Sequence, residues 1–285
     1  MNSHVLHTLE FNQIQKMLVD RAGSTLSKEM AMKWCPSSEY EIIQNWLNET
    51  DEAFRCLHKE VSMPLGQTHD IRTVLSKAEK DICIMPNEFT DLLTTLLTYE
   101  KMHHYFEGER HLIYPTLESL SQRMISMEGL VLKLNRVFDD TGKIKDNASS
   151  KLSRIRTTIV ALKSRIRRAL QHIINDKEQA VFFRDAIITQ RNDRYVVPIK
   201  EEYRYRFDGI VHDRSSTGQT LYMEPMISVQ LNNDLTEAYA EEKSEIRNIL
   251  LSLTKEVYKN SKEIYLNCEL ATQMEFVFAR GQLAL

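Results

Sequence analysis

Basic and aromatic side chains are concentrated between Ala186 and Pro225, together with small hydroxyl and amide side chains. Guanidinium and ammonium groups bind phosphate oxygens, tyrosine rings stack on nucleobases, and small neutral donors complete such contacts. The candidate nucleic-acid contacts in this stretch are Arg191, Arg194, Lys200, Arg204, Arg206, Arg214, Ser215, Ser216 and Gln219, and the accompanying tyrosines are Tyr195, Tyr203, Tyr205 and Tyr222. Composition alone leaves a second interpretation open, in which these arginines only solvate the segment or pair with its acidic residues.

A second basic track precedes this stretch. Its members avoid the apolar positions of a periodic segment that begins at Lys151, and they are Arg154, Lys163, Arg165, Arg167 and Arg168. Residues 150–230 hold 15 Lys or Arg against 9 Asp or Glu, whereas the rest of the chain carries a net charge of -9 within a total of -3. This segregation predicts that the basic part meets a polyanion and that the rest does not. Because phosphate contacts carry no sequence information, we expect binding that is not base-specific and that weakens steeply with salt.

Two long heptad-patterned segments flank the stretch and must position it. In the first, residues 151–180, apolar side chains recur every seven residues at Leu152, Ile159, Ile166 and Ile173, with Ile155, Leu162 and Ala169 interleaved. A strict alternation of three and four residues over about four heptads favours two helices wound around each other. Thirty residues of helix reach roughly 45 Å, so the pattern predicts a long two-helix coiled-coil lever with the stretch at its tip, far from the body. Two helices of an ordinary bundle are the alternative.

The second segment, Leu231 to about Ile264, is less regular. Its apolar side is formed by Leu235, Tyr239, Ile246, Ile249, Leu253 and Val257. Glu242 interrupts this side, and a solvated outer face is expected for Glu237, Glu241, Lys243, Glu245 and Arg247. We therefore expect a helix that returns alongside the first.

Four short antiparallel strands are predicted between the two helices. The runs AIITQR and RYVVPIK are separated by Asn192 and Asp193, residues that tolerate the left-handed backbone of a tight hairpin. GIVHDRS and QTLYMEP follow and are joined through a Ser-Thr-Gly turn. Pro198 lacks a backbone donor, so its strand is expected at a sheet edge or with an irregularity there. The predicted fold class is mainly α, with a helical core and a two-helix lever that carries a small four-stranded antiparallel sheet.

The remaining sequence reads as helical. The first 130 residues form short amphipathic segments whose default core positions are Ile42, Ile43, Trp46, Leu47, Phe89, Leu92, Leu93, Leu96 and Leu97. Asn87 is a candidate helix cap, and residues 138–150 predict a turn or short hairpin. The predicted organisation is a helical core over 1–130, an entry and outgoing helix over 131–180, a β insert over 181–230, a returning helix over 231–264 and a return to the core over 265–285.

Motifs for phosphate-loop or zinc chemistry are missing from the sequence. The only Gly-Lys pair, Gly142 with Lys143, is preceded by Val137 where a phosphate-binding loop requires glycine. His103 and His104 are adjacent and face different directions on a helix, so they cannot form a paired zinc-ligand motif. We expect no bound metal and no cofactor in this chain.

Nucleophilic catalysis, export and membrane insertion are equally disfavoured. The run from His212 to Ser215 holds a histidine, an acid and a hydroxyl, but alternation along a strand sends neighbours to opposite faces. No apolar run is long enough to cross a membrane and no export pattern is recognised, so a cytoplasmic protein is expected. Disulfides and a zinc site are not expected from the singly scattered cysteines Cys35, Cys56, Cys83 and Cys268.

The chain resembles the MutS family, specifically its bacterial MutS-two paralogue subfamily. The resemblance is carried most specifically by ITQRNDRYVVPIKEEYR and GIVHDRSSTGQTLYMEP, which resemble the clamp region. Three further strings resemble other parts of that subfamily in the right order. They are HTLEFNQIQKMLVDRAGSTLSKEM for the core, DDTGKIKDNASSKLSRIR for the arm entry and MEFVFARGQLAL for the arm return. Nearly the whole chain is covered. One departure is MPLGQTHDIR, which has Gln67 and Thr68 where the family tends to be richer in glycine.

The resemblance implies a core, lever and clamp module. In the complete family this module precedes an ATPase domain, which uses ATP and magnesium, and usually a Smr nuclease domain; we expect both to lie outside the present chain. The family is associated with binding branched DNA, with restraining recombination and with rescue of collided ribosomes, and it is expected to act as a homodimer. The chain would then be a non-enzymatic clamp for DNA, rRNA or ribosomes. A structural coiled-coil arm for protein–protein interaction is the alternative, and an autonomous enzyme is disfavoured.

Overall fold

The computed structural model describes residues 3–59, 63, 65 and 68–285. The chain is 67% helical with one small four-stranded antiparallel sheet, which confirms the predicted mainly-α fold class. Two compact units are present, one formed by residues 1–145 and 250–285 and the other by residues 146–249. Gln67, part of the departure from the family pattern, lies outside the described residues.

The first unit is built from helices. Their bounds are α1 Ser3–Thr8, α2 Phe11–Arg21, α3 Thr25–Lys33, α4 Tyr40–Lys59, α5 Arg72–Glu79, α6 Pro86–Tyr105, α7 Arg110–Ile113, α8 Pro115–Gln122, α9 Glu128–Val137 and α12 Ser261–Ala284. Helix α12 is buried along most of its length and packs against α2, α3, α4 and α8. It approaches α4 so closely that a Cβ on Gly281 would lie 2.9 Å from the Cβ of Ala53. Glycine is therefore required at that crossing.

Two sequence predictions in this unit have different outcomes. Residues 138–144 form the predicted short hairpin, in which Phe138 pairs with Ile144 and Gly142 has a φ of +77°. Asn87 is not a cap, because α6 begins at Pro86 and the Glu88 carboxylate accepts a hydrogen bond from the Met85 amide at 3.0 Å. Proline at the first helical position needs no amide donor, which moves the helix start upstream of Asn87.

The predicted core positions of α4 are only partly buried. Ile42, Ile43 and Leu47 are exposed, and the exposed fraction of Leu47 is 59%. Ile43 and Leu47 line an open apolar groove together with Phe11 and Ile14 of α2. The default interpretation as core is wrong here because the apolar stripe of α4 is wider than the surface that the neighbouring helices cover.

The second unit contains α10, Ser150–Asn175, and the first part of α11, which runs over Met226–Lys259. Ser149 caps α10, since its hydroxyl accepts a hydrogen bond from the Leu152 amide at 2.9 Å. The buried face of α10 consists of Leu152, Ile155, Ile159, Leu162, Ile166, Leu170, Ile173 and Ile174. Leu170 takes the position predicted for Ala169, because a helix with 3.6 residues per turn drifts away from a strict 3.5-residue repeat.

Polar residues interrupt the contact between α10 and α11, as the irregular pattern of α11 indicates. The Glu242 carboxylate accepts a hydrogen bond from Arg156 Nε at 2.8 Å. Glu245 is buried rather than solvated, and its carboxylate accepts from the Ser149 hydroxyl at 2.8 Å. The outer-face prediction for Glu245 is wrong because this carboxylate bonds the residue that caps α10. Helix α11 ends at Lys259 rather than near residue 264, and α12 begins at Ser261.

The sheet has the strand order β1-β2-β4-β3. Its strands are β1 Thr189–Arg191, β2 Arg194–Lys200, β3 Gly209–Arg214 and β4 Thr220–Pro225, and every pairing is antiparallel. Asn192 and Asp193 have φ values of 50° and 61°, which confirms the predicted left-handed hairpin turn. A Cβ on Gly209 would lie 2.6 Å from the Glu224 carbonyl oxygen, so the close approach of β3 to β4 requires glycine at this position.

Pro198 lies in an internal strand, not in an edge strand. Pairing of β1 with β2 extends only as far as Val196, before the proline is reached. Beyond that point Phe183 pairs with Ile199, and the Arg184 amide donates to the Pro198 carbonyl at 3.0 Å. The predicted irregularity is thus a change of pairing partner along one side of β2, from β1 up to Val196 to the segment around Phe183 at Ile199.

One apolar cluster joins the helices and the sheet of this unit. Its members include Ile159, Ile166 and Leu170 from α10, Val197, Ile199, Leu221 and Met223 from the strands, and Leu235 and Ala238 from α11. Burial of these side chains supplies the main stabilisation, at about 25 cal/mol per Å² of apolar surface. The sheet is consequently fixed against the helices that flank it in sequence.

Ile166→Ala is expected to lower the free energy of unfolding by about 2–5 kcal/mol, because it opens a cavity at a fully buried position. The matched control is Val160→Ala on the same helix, which is 67% exposed and should change stability by less than about 0.5 kcal/mol. Urea denaturation followed by far-UV circular dichroism measures both. Equal effects would contradict the assignment of the buried face of α10.

Candidate nucleic-acid interface

Three of the predicted arginines pair with carboxylates. Arg191 Nε lies 3.1 Å from Asp213 Oδ2, Arg194 Nη1 lies 3.2 Å from Glu224 Oε1, and Arg214 Nη2 lies 3.7 Å from Glu201 Oε1. The second interpretation offered by composition, pairing with acidic residues, therefore applies to these three. The pairs of Arg191 and Arg214 are exposed on both sides, and such pairs contribute only ~0–1 kcal/mol, so phosphate can replace the carboxylate at small cost.

Arg194 is different because its partner, Glu224, is 99% buried. The Glu224 carboxylate also accepts hydrogen bonds from Asn232 Nδ2 at 2.7 Å and lies 2.5 Å from His212 Nε2. Asn232 in turn bonds both the amide and the carbonyl of Tyr195 at 3.2 Å, which ties α11 to β2. A buried carboxylate needs such a set of donors, so the geometry gives Arg194 a structural role.

A β-bulge places His212 in this network. The register of β3 against β4 shifts between Val211 and Asp213, and His212 lies at the shift. Its carbonyl accepts a hydrogen bond from Asn192 of the β1–β2 turn at 3.1 Å, while its ring faces Glu224. The histidine that suggested catalysis in the sequence thus joins β3 to β4, while Asp213, the acid of that run, pairs with Arg191 of β1.

The other three cations of the sheet region lie on aromatic rings. Lys200 Nζ lies 5.8 Å from the Tyr203 ring, the Arg204 guanidinium lies 5.4 Å from the Tyr205 ring, and the Arg206 guanidinium lies 6.0 Å from the Phe182 ring. None of these three cations has a carboxylate partner among the described residues. Lys200 also donates to the Val181 carbonyl at 3.0 Å. Arg206 is exposed and Arg204 half-exposed, so both guanidinium groups can reach an external phosphate.

These cations surround two short 3-10 turns, Ala180–Phe182 and Glu201–Tyr203, whose aromatic rings pack together. Phe182 was not among the predicted site residues, although it lies 5.2 Å from the Tyr203 ring and underlies Arg206. The adjacent phenylalanines at 182 and 183, followed by Arg184, are the sequence signal that could have indicated it.

The predicted neutral donors lie at the turn between β3 and β4. The Ser215 hydroxyl accepts a hydrogen bond from the Thr220 amide at 3.1 Å and so closes the turn. Ser216 and Gln219 are exposed, and Gly218 has a φ of +74°. Of the three predicted donors, Ser216 and Gln219 are thus the ones whose side chains face solvent.

Helix α10 provides the second basic surface. It contains seven Lys or Arg and no Asp or Glu. Two of its cations are paired with acids of the same unit: Arg156 with Glu242 and Asp146, and Lys151 with Glu245. Burial works to lower the pKa of Arg156, but its bonds to the two carboxylates outweigh this effect and raise the pKa.

The predicted basic track divides into two groups. Lys163 and Arg167 lie over tyrosine rings of the same unit, Lys163 over Tyr239 at 5.3 Å and Arg167 over Tyr195 at 6.0 Å. The hydrogen bond with Tyr239 raises the pKa of Lys163. The other three, which are exposed and have no carboxylate partner in the part of the chain that the structure describes, are Arg154, Arg165 and Arg168. Spacings of eleven and three residues correspond to about three turns and one turn, so these three share a face of the helix.

Other candidate sites are few among the described residues. Glu100, His104 and Glu128 are the one group whose ligand atoms lie within 4.8 Å of each other, as a cation site would require. His104 bonds Glu107, which raises its pKa, and Glu100 accepts from the Met127 amide, so these groups already have protein partners. No helix in the described ranges is both long and apolar enough to cross a membrane. Cys35, Cys56, Cys83 and Cys268 are present as thiols and not as disulfides.

Comparison with known proteins gives the family. No protein-family profile matches the chain. The protein named Endonuclease MutS2 from Geobacillus sp. (strain WCH70) is 36% identical over 286 residues, which is all of this chain and 36% of that protein. The chain belongs to the MutS2 family. The resemblance stated from the sequence is thereby confirmed.

Further MutS2 relatives agree. The Putative endonuclease MutS2 from Bacillus subtilis (strain 168) is 35% identical over 286 residues, and the Endonuclease MutS2 from Bacillus cereus (strain B4264) is 36% identical over 283 residues. The chain spans about a third of the length of these relatives, 36% in each case. The endonuclease activity in the names of these relatives therefore refers to proteins that are much longer than this chain.

Arg194→Ala is expected to lower the free energy of unfolding by about 2–3 kcal/mol, because it removes a donor from a buried carboxylate. Arg214→Ala, which breaks an exposed pair, is the matched control and should cost at most about 1 kcal/mol. Adding Glu224→Gln to Arg194→Ala should recover part of the loss, since a neutral amide needs no counter-charge. Thermal and urea denaturation measure all three variants, and an Arg194→Ala variant as stable as Arg214→Ala would refute the structural role.

Proposed function

We propose that residues 146–249 are the nucleic-acid-binding part of a MutS2-family protein. The exposed face of α10 and the cations of the 200–206 segment would contact the sugar–phosphate backbone. The observation that carries this proposal is the charge of α10, which has seven cations and no acid, with three of those cations exposed and unpaired among the described residues. An ordinary solvated helix mixes both signs, whereas an all-positive face attracts a polyanion.

The paired helix α11 lacks this character. Between residues 226 and 249 it has five acidic residues against two basic ones. Two of those acids, Glu242 and Glu245, pair with cations of α10, so the face that α11 presents to solvent is mixed in sign. A nucleic acid is therefore expected to lie along α10. Backbone contacts of this type release counterions, so affinity should fall linearly with salt on logarithmic axes, with a slope of about -0.9 per phosphate neutralised on duplex DNA.

The shared chemistry of the candidate targets is the phosphate backbone, which branched or duplex DNA and ribosomal RNA both offer. In the complete protein, other domains would supply ATP hydrolysis and nuclease activity, and two copies would form a homodimer. The paired α10 and α11 would act as a coiled-coil lever and the sheet as its clamp. This role would link the chain to suppression of recombination and to ribosome quality control.

A protein-binding arm is the second candidate, and one observation favours it. Strand β3 lies at the edge of the sheet and exposes Ile210 and Val211, so it offers an unpaired backbone edge to a partner strand. The bulge at His212 and the charged residues Asp213 and Arg214 oppose such pairing, since both are features that protect sheet edges. Binding to purified DNA and RNA in the absence of any partner protein discriminates the two candidates.

The double variant Arg165→Ala with Arg168→Ala is expected to bind duplex DNA and structured RNA more weakly and to reduce the salt slope by about 2. The matched control is Lys243→Ala with Arg247→Ala, which removes two exposed cations from α11 instead. It should leave affinity and slope near those of the parent chain. Fluorescence anisotropy between about 50 and about 200 mM KCl measures both quantities.

Two outcomes would refute the α10 interface. One is an unchanged salt slope in the Arg165 and Arg168 variant. The other is an equal loss in the α11 control, which would indicate attraction to any positive charge of the chain.

A further inference from the structure

Tyr205 is the one tyrosine of the sheet region, within the described residues, that presents an uncovered ring. It is 92% exposed. Tyr195 is buried, the Tyr203 ring packs against Phe182 at 5.2 Å, and the Tyr222 ring is covered by the Arg191 guanidinium at 4.2 Å. The four tyrosines that the sequence offered for stacking are thereby reduced to one.

The surroundings of Tyr205 are cationic. The Arg204 guanidinium lies 5.4 Å from the Tyr205 ring centroid, and Arg206 follows directly in the chain and is exposed. The neighbouring acid Glu201 lies 3.7 Å from Arg214, and Glu202 is exposed on the same segment. An arginine against one side of the ring restrains it and leaves the other side free for a flat ligand.

Exposure of this extent is unusual for an aromatic side chain that serves only stability. A tyrosine ring contributes to folding by burying apolar surface, and Tyr205 buries almost none. The same segment uses Tyr203 and Phe207 for packing, so its aromatic support does not depend on Tyr205. The ring is therefore available to a ligand.

We propose that Tyr205 stacks on an unpaired nucleobase while Arg204 and Arg206 contact the flanking phosphates. This inference rests on the proposed function and names its ligand more closely: nucleic acid with unpaired nucleotides, such as a fork, a gap or a loop. Bases in an uninterrupted duplex cover each other's faces, whereas unpaired bases can be splayed onto an aromatic ring. The α10 face would bind any backbone, and Tyr205 would add the preference for unpaired positions.

The test compares Tyr205→Ala and Tyr205→Phe in the whole chain. The ligands are an uninterrupted duplex and the same duplex with a short single-stranded arm, each made in DNA and in RNA. Tyr205→Ala should lower affinity for the armed duplex by about tenfold, equivalent to ~1.4 kcal/mol and within the range for loss of one base–aromatic stack. Affinity for the uninterrupted duplex should stay within about twofold.

Two controls isolate stacking from other effects. Tyr205→Phe keeps the ring and should bind both ligands as the parent chain does. Tyr40→Ala removes another exposed tyrosine, from α4 of the first unit, and should also leave both affinities unchanged. A 2-aminopurine in the single-stranded arm should lose fluorescence on binding to the parent chain and to Tyr205→Phe, but not to Tyr205→Ala.

The outcomes separate this inference from the proposed function. If the parent chain binds both ligands through Arg165 and Arg168, but Tyr205→Ala weakens neither or both equally, the stacking role is overturned and the proposed function stands. If the parent chain binds neither ligand, both are overturned. A loss confined to the armed ligands in DNA, in RNA or in both supports the inference and identifies the source of the ligand.

Discussion

A carboxylate buried in a sheet must be surrounded by donors, and in the second unit this requirement decides which cations are available for binding. Glu224 takes Arg194, His212 and Asn232, and through Asn232 it fixes the start of α11 to β2. Removal of Arg194 would leave the buried charge without its counter-charge, and removal of Asn232 would leave a carboxylate oxygen without that donor. The strand order and the bulge in β3 are the geometry that brings these groups to one carboxylate.

A similar allocation occurs between the helices. Arg156 and Lys151 near the start of α10 pair with acids of the unit, and Glu245 accepts from the capping hydroxyl of Ser149. Arg165 and Arg168, farther along the helix, face solvent without acidic partners among the described residues. Among the described residues, the ion pairs between the two helices thus lie near the start of α10, where Arg154 is the one cation without an acidic partner.

The 200–207 segment combines both uses of aromatic residues. Tyr203 and Phe207 are packed against the apolar cluster and hold the segment in place. Tyr205 projects from it, with guanidinium groups on either side in sequence. A rigid support with one exposed ring and adjacent cations is the arrangement expected of a stacking surface for single-stranded nucleic acid.

The sequence alone determined the features that depend on neighbouring residues. The helix α10 with an apolar face, the left-handed turn at Asn192 and Asp193, the four strands and the surplus of positive charge were predicted correctly, because each follows from local backbone preference or from composition. The family was recognised in the same way, from strings of residues. The relative from Geobacillus is longer, and this chain spans 36% of its length.

Only the tertiary structure decided which partner each residue has. Arg194, Arg204 and Arg206 are equivalent in the sequence, yet Arg194 is paired with a buried acid while Arg204 and Arg206 lie over aromatic rings. The burial of Glu245 and the exposure of Leu47 were likewise missed. Such outcomes depend on which strands and helices become neighbours, and contacts between residues far apart in the chain cannot be read from local periodicity.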